Sequence, residues 1–170
     1  MSVWAILSLL SSIFIFGLGS LVLIGKPRKK LSYVFFALCF SIALWLLATF
    51  LVLSSPSEEN AIFWDRIVYL GVVFIPILIY HFGLVFSSAE RKNVVVLIIG
   101  YISSCFFAYI SQNKLFLDNL YRYDWGVHSQ ARIFHDIFLA FFFIYILLFF
   151  INLYFFYKNQ TGLVRAQTKY

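Results

Sequence analysis

The stretch Val3-Trp4-Ala5-Ile6-Leu7-Ser8-Leu9-Leu10-Ser11-Ser12-Ile13-Phe14-Ile15-Phe16-Gly17-Leu18-Gly19-Ser20-Leu21-Val22-Leu23-Ile24 carries no charge, and Gly25-Lys26-Pro27-Arg28-Lys29-Lys30 follows it at once. About 20 apolar residues let a helix cross a hydrocarbon core of ~30 Å. A secretory signal peptide carries its cations before the apolar stretch. Here they come after it, so the run reads as an uncleaved first membrane helix.

The same reading extends along the chain. Leu31–Leu53 ends at Ser54-Ser55-Pro56-Ser57; further apolar runs cover Ala61–Phe86, Val94–Ile110 and Ile133–Tyr157. None shows the roughly ten-residue alternation of a barrel strand. The expectation is an all-α, multi-pass bundle of five transmembrane helices over 3–24, 31–53, 61–86, 94–110 and 133–157, forming one membrane domain over 1–170. Composition agrees: of 170 residues, 63% are hydrophobic, 22% aromatic and 12% charged, with mean hydropathy +0.93. Soluble domains carry about twice that share of charge. The formal charge of +6 is therefore read by position, as orientation. Aromatic and basic residues do not interleave along one face, so nucleic acid is not expected as a partner.

Lys and Arg counted by loop give the orientation. Lys26, Arg28, Lys29, Lys30, Arg91, Lys92, Lys158, Arg165 and Lys169 fall on one side, with Glu90 as their one acid. The other side holds Arg66, Lys114, Arg122 and Arg132 with Glu58, Glu59, Asp65, Asp118, Asp124 and Asp136. The bias predicts N-terminus out and C-terminus in the cytoplasm, in the inner (plasma) membrane. Trp64, Tyr69, Tyr101, Tyr109, Tyr121, Tyr123, Trp125, Tyr154 and Tyr157 lie near the ends of the runs, where amphipathic rings favour the headgroup level. Cys39 and Cys105 sit inside apolar runs without a CxxC or Cys/His cluster, so neither a disulfide framework nor a zinc site is expected.

Within the third run, Ala61-Ile62-Phe63-Trp64-Asp65-Arg66-Ile67-Val68-Tyr69-Leu70-Gly71 leads through Val72-Val73-Phe74-Ile75-Pro76 to Tyr80-His81-Phe82. This resembles the N-terminal seven-helix membrane region of bacterial sensor histidine kinases, with its aromatic-x-Arg entry, Gly, aromatic-Ile-Pro step and His-Phe. Leu38-Cys39-Phe40-Ser41-Ile42-Ala43-Leu44-Trp45 and Tyr123-Asp124-Trp125-Gly126 extend the likeness, and Val164–Tyr170 looks like an approach to a sixth helix. The resemblance implies a signal-input module and an incomplete seven-helix bundle, truncated before helices six and seven and before a kinase or cyclase output. It implies no catalysis by this chain, because His81, His128 and His135 lie within or outside the membrane and none can be a cytoplasmic phosphoacceptor.

The candidate ligand-binding or signalling residues are Trp45, Trp64, Arg66, Tyr69, Pro76, Tyr80, His81 and Trp125. Pro76 lacks an N–H and clashes with the carbonyl of Val72, so the third helix should kink, either for packing alone or as a moving hinge. His81 is an ionisable group inside an apolar span; a neutral imidazole bonded to a neighbouring helix competes with a pH-reporting role. Tyr80 lies 100° around the helix from it, so the two should face different pockets. Asp65 suits the dipole of a helix's first turn, and Arg66 is expected to pair with Glu58, Glu59 or Asp136 or to meet an anionic ligand. Trp45 reads as packing or a ligand wall. Ser111–Arg132 reads as a solvated cap; Asp124, His128, His135 and Asp136 lack the fixed spacing of a metal site, so no metal and no cofactor is expected. The partners expected are the lipid bilayer, a second copy of the chain as a homodimer, and a small-molecule or lipid ligand. A small transporter or permease-like subunit is the alternative, but such proteins show internal repeats and midplane charges, and here Lys, Arg, Asp and Glu stay out of the interiors of the spans.

Overall fold

The computed structural model describes residues 2–25, 30–123 and 126–159. Helices α1 (Val3–Gly25) and α2 (Lys30–Leu53) are followed by α3 (Glu58–Val72), α4 (Ile75–Phe86), a 3₁₀ turn (Glu90–Asn93) and α5 (Val94–Ile110). A hairpin of β1 (Leu117–Tyr123) and β2 (Gly126–Ala131) then precedes α6 (Ile133–Asn159). Taken as continuous stretches, Val3–Gly25, Lys30–Leu53, Glu58–Phe86, Glu90–Ile110 and Ile133–Asn159 are long and apolar enough to cross a membrane. The chain is an all-α multi-pass bundle.

Helices α2 and α4 form its middle. The first packs against α1, α3 and α4, the second against α2, α5 and α6. Helix association in lipid relies on small residues and interhelical hydrogen bonds, because lipid is as apolar as leucine. Ser12 Oγ donates to the Ala43 carbonyl at 2.8 Å across α1 and α2. A Cβ at Gly71 would stand 2.6 Å from the Ser41 carbonyl oxygen and 2.9 Å from the Trp45 nitrogen. At that crossing the backbones of α2 and α3 touch, and only hydrogen fits between them.

The expected single helix over 61–86 divides in two. Its start lies earlier: Ser57 caps α3, accepting from the Asn60 N–H at 3.3 Å, and Glu58 and Glu59 occupy the first turn. Its middle is interrupted at Val73-Phe74, between the end of α3 at Val72 and the start of α4 at Ile75, with Pro76 in the first turn of α4. Both joint residues keep right-handed helical angles (φ −66°, ψ −21° and φ −90°, ψ −16°), so the span passes through a distorted turn, in the place where Pro76 predicts a kink. A first-turn proline sacrifices no helical hydrogen bond, whereas an interior one would. The break keeps neighbouring donors occupied: the Val73 N–H donates to the Tyr69 carbonyl at 3.1 Å and the Phe74 N–H to that of Gly71 at 3.3 Å.

The core divides at the same level. One cluster gathers Val52, Val68, Tyr69, Val73, Phe107, Phe116, Leu117 and Phe138; the other gathers Ile77, Tyr80, Leu84, Leu97 and Tyr145. Phe74, at the break, and Phe141 pack against both.

Ser111–Arg132 is more ordered than a solvated cap. β1 and β2 pair antiparallel from Leu117↔Ala131 to Tyr123↔Gly126, with an irregularity between Asp118 and Leu120 where Asn119 takes φ +47°. The Arg132 N–H donates to the Phe116 carbonyl at 3.1 Å, and Arg132 Nη2 to Asp118 Oδ2 at 2.8 Å. Arg132 beside it holds the Asp118 carboxyl below the usual carboxylate range.

A Gly71→Ala substitution is expected to cost about 1–3 kcal/mol, since its Cβ meets backbone that cannot swing aside. Thermal unfolding in detergent should show a lowered Tm; an unchanged Tm would mean that α2 and α3 do not cross this closely.

Candidate functional site

Helix α4 carries His81 toward its C-terminal end, and the chain then turns through Ser88 (φ +56°) into the 3₁₀ segment. That return brings Glu90 back to His81: Nε2 lies 3.1 Å from Glu90 Oε1. Nδ1 lies 2.7 Å from the hydroxyl of Tyr101 on α5. Glu90 Oε1 also meets Lys30 Nζ, from the first residue of α2, at 2.6 Å. An ionised carboxylate only accepts, so Nε2 carries the hydrogen toward Glu90; in a neutral ring Nδ1 then accepts from Tyr101. The result is one polarised chain from Tyr101 through His81 and Glu90 to Lys30. Its middle is sheltered, with side-chain exposure of 16% for His81 and 23% for Glu90, while Lys30 is 62% exposed.

The opposite face of α4 is tied to α6. Asn152 Nδ2 donates to the Gly83 carbonyl at 3.1 Å and to Ser87 Oγ at 2.9 Å. A Cβ at Gly83 would press into the Phe149 ring at 2.6 Å, so the glycine lets α6 come close. Tyr80 stacks edge-on with Tyr145 of α6, whose hydroxyl donates to the Val96 carbonyl at 2.9 Å. Tyr80 and His81 thus serve different neighbours, α6 and α5. Lys30, Glu90, Arg91, Lys92 and Lys158 share this end of the bundle, which we call the basic end.

At the other end, Asp65 is buried at 3% exposure. It is the eighth residue of α3, not a first-turn acid, because α3 begins at Glu58. Its Oδ2 accepts from the Ser129 N–H at 3.2 Å and from the Ser129 hydroxyl, fixing β2 to α3. Gln112 Nε2 donates to the Arg66 carbonyl at 3.2 Å. No pair of Arg66 with Glu58, Glu59 or Asp136 is present among the described residues, and its enclosed Nε meets no acceptor among them. Tyr69 lies at the centre of an aromatic cluster, edge-on to Phe116 at 4.9 Å, His135 at 5.6 Å and Phe138 at 6.3 Å.

Among the described residues, the named candidates therefore do not form one pocket. Tyr69 and Trp64 belong to the hairpin-end core, Tyr80 and His81 to the basic end, and Pro76 to the joint between them. Trp45 is 39% exposed on α2, and its backbone rather than its ring abuts Gly71. Trp125, Asp124 and the His128 side chain lie outside the described residues. His135 Nδ1 stands 4.0 Å from Asp136 Oδ1. Sequence reasoning took Glu90 as a charge to be counted and Tyr101 as an interfacial ring, and passed over Ser87 and Asn152. The available signals were one acid among nine cations and a lone amide inside an apolar run.

The spans, the paired polar ends and the interrupted third span define a multi-pass membrane helix bundle. A family model described as the N-terminal 7TM region of histidine kinase matches residues 7–169. The chain belongs to that family, which is a sensory input region and not a catalytic domain. No curated protein and no solved structure matches it.

Asp65→Ala removes the acceptor of two Ser129 donors and should cost about 1–3 kcal/mol. Hydrogen exchange should accelerate in β2 while α4 and α6 keep their protection, and Asp65→Asn should recover part of the loss. Unchanged β2 exchange in Asp65→Ala would exclude the contact.

Proposed function

We propose that this chain is the signal-input part of a histidine kinase-like receptor, relaying a stimulus across the inner membrane to a cytoplasmic output domain encoded downstream. The family match over residues 7–169 carries the reading. The basic end faces the cytoplasm, because Lys and Arg are retained on that side. The N-terminus is then outside, and the five spans are the first five of the seven in the family's description. A stimulus acts by favouring one of two helix arrangements, and it can shift them only by its differential affinity for the two.

The architecture supports this reading through its two halves. The hairpin-end half joins α3 to β2 through Asp65, and the basic-end half joins α4 to α2, α5 and α6. Between them the third span is interrupted at Val73-Phe74, with Pro76 just beyond. α4 is the moving element, the break is its hinge, and the signal runs toward the basic end. The stimulus is a small molecule or lipid reaching the hairpin end or the bilayer-facing surface, and the receptor works as a homodimer.

Two measurements test the proposal. Reading the gene past Tyr170 should reveal two further apolar segments and then a kinase or cyclase domain; an immediate in-frame stop contradicts it. A fluorescent reporter placed after Tyr157 should fold in the cytoplasm, while alkaline phosphatase at the same point should be inactive. Active phosphatase there would reverse the orientation.

A further inference from the structure

Among the described residues, the polar side-chain ties from the inner end of α4 to α2 and α5 run through two residues, His81 and Glu90. Glu90 is the single acid that the sequence places among nine cations. Arg91 and Lys92, next to it in the chain, are exposed, while Glu90 meets Lys30 at 2.6 Å and His81 at 3.1 Å. An exposed ion pair alone contributes little. Here the carboxylate is sheltered and shared, and the imidazole passes the connection on to Tyr101 at 2.7 Å. Four groups from α2, α4, the 3₁₀ turn and α5 are thereby linked in one chain.

Apolar packing at this end is uneven: α4 is buried against α2 and α6, with Ile77 and Leu84 fully enclosed, and meets α5 more sparsely. The core cluster on the α4 side of the break has five buried members, against ten on the α3 side. Where α4 runs beside α5, the His81–Tyr101 and His81–Glu90 bonds are, among the described residues, the polar ties that fix its position. On its far face the Asn152 clamp binds α4 to α6, so any shift of α4's end carries the end of α6 with it.

We infer that the Lys30–Glu90–His81–Tyr101 chain is a latch: it holds α4 against α2 and α5 in the resting arrangement, and its opening lets α4 and α6 move together. The latch rests on the proposed input function, in which α4 moves. The opening itself is physical and is read without any output.

The test uses the full chain in lipid nanodiscs, with hydrogen exchange followed segment by segment. In Glu90→Gln and in His81→Phe, amides of residues 84–97 and 152–159 should exchange about tenfold faster or more, the scale set by losing a hydrogen bond to a charged group. The double variant should exceed neither single one, since each cuts the same chain. The hairpin strands should keep wild-type protection. Wild-type exchange at 84–97, additive effects in the double variant, or acceleration that includes the hairpin would each overturn the latch. Should either variant fail to fold, Tyr101→Phe decides: it keeps the ring and removes one link, and unchanged exchange at 84–97 then counts against the proposal. Released segments with unaltered kinase output in the full receptor would leave the latch standing and remove the input reading instead.

Discussion

In hydrocarbon a backbone N–H or C=O without a partner costs several kcal/mol, and Pro76 takes one donor out of the longest span. The chain meets that constraint with a distorted turn at Val73-Phe74, whose residues keep right-handed helical angles. Val73 and Phe74 tighten back onto the carbonyls of Tyr69 and Gly71, and the Leu78 N–H returns to that of Phe74 at 3.0 Å. Pro76 then sits where its missing N–H is not needed. Because the interruption falls in the centre of the bundle, it separates two cores and gives each its own set of polar ties.

Those ties differ in kind. At the hairpin end, Asp65 is buried and bonded to a β-strand, and large rings from α3, α5, α6 and the loop pack around Tyr69. Such a cluster is rigid, since its rings interlock from four directions. At the basic end the connections are hydrogen bonds and one ion pair between helix ends, with a lysine that is mostly solvated. Contacts of that type exchange partners without a loss of packing. The asymmetry suits a module in which one end receives and the other end moves.

How much of this was legible follows from range. The five spans are written in run length, and their alternation in the placement of Lys and Arg. The interruption was visible at Pro76 as a kink, and it falls at Val73-Phe74, in the turn before the proline. The hairpin was hidden because Tyr123-Asp124-Trp125-Gly126 lacks the Asn-Gly or Asp-Gly signal of a tight turn, and the bulge at Asn119 interrupts strand alternation. Asp65 looked like a first-turn acid because the apolar run begins at Ala61, while the cap that starts the helix is Ser57. His81 stood out alone in its span, but Tyr101 read as an interfacial anchor and Glu90 as one entry in a charge count. Their meeting is tertiary: residues 9 and 20 positions from His81 converge only after the chain reverses at Ser88.

The proposed function rests on the third span acting as two segments joined at a hinge. It is tested most directly by spin labels at Phe63→Cys and Phe86→Cys, exposed positions on either side of the break, with Cys39 and Cys105 replaced by alanine. With Pro76 present the distance distribution should be broad or double. With Pro76→Ala, which permits one continuous helix, it should collapse to a single narrow peak. Identical distributions in the two proteins would contradict the account.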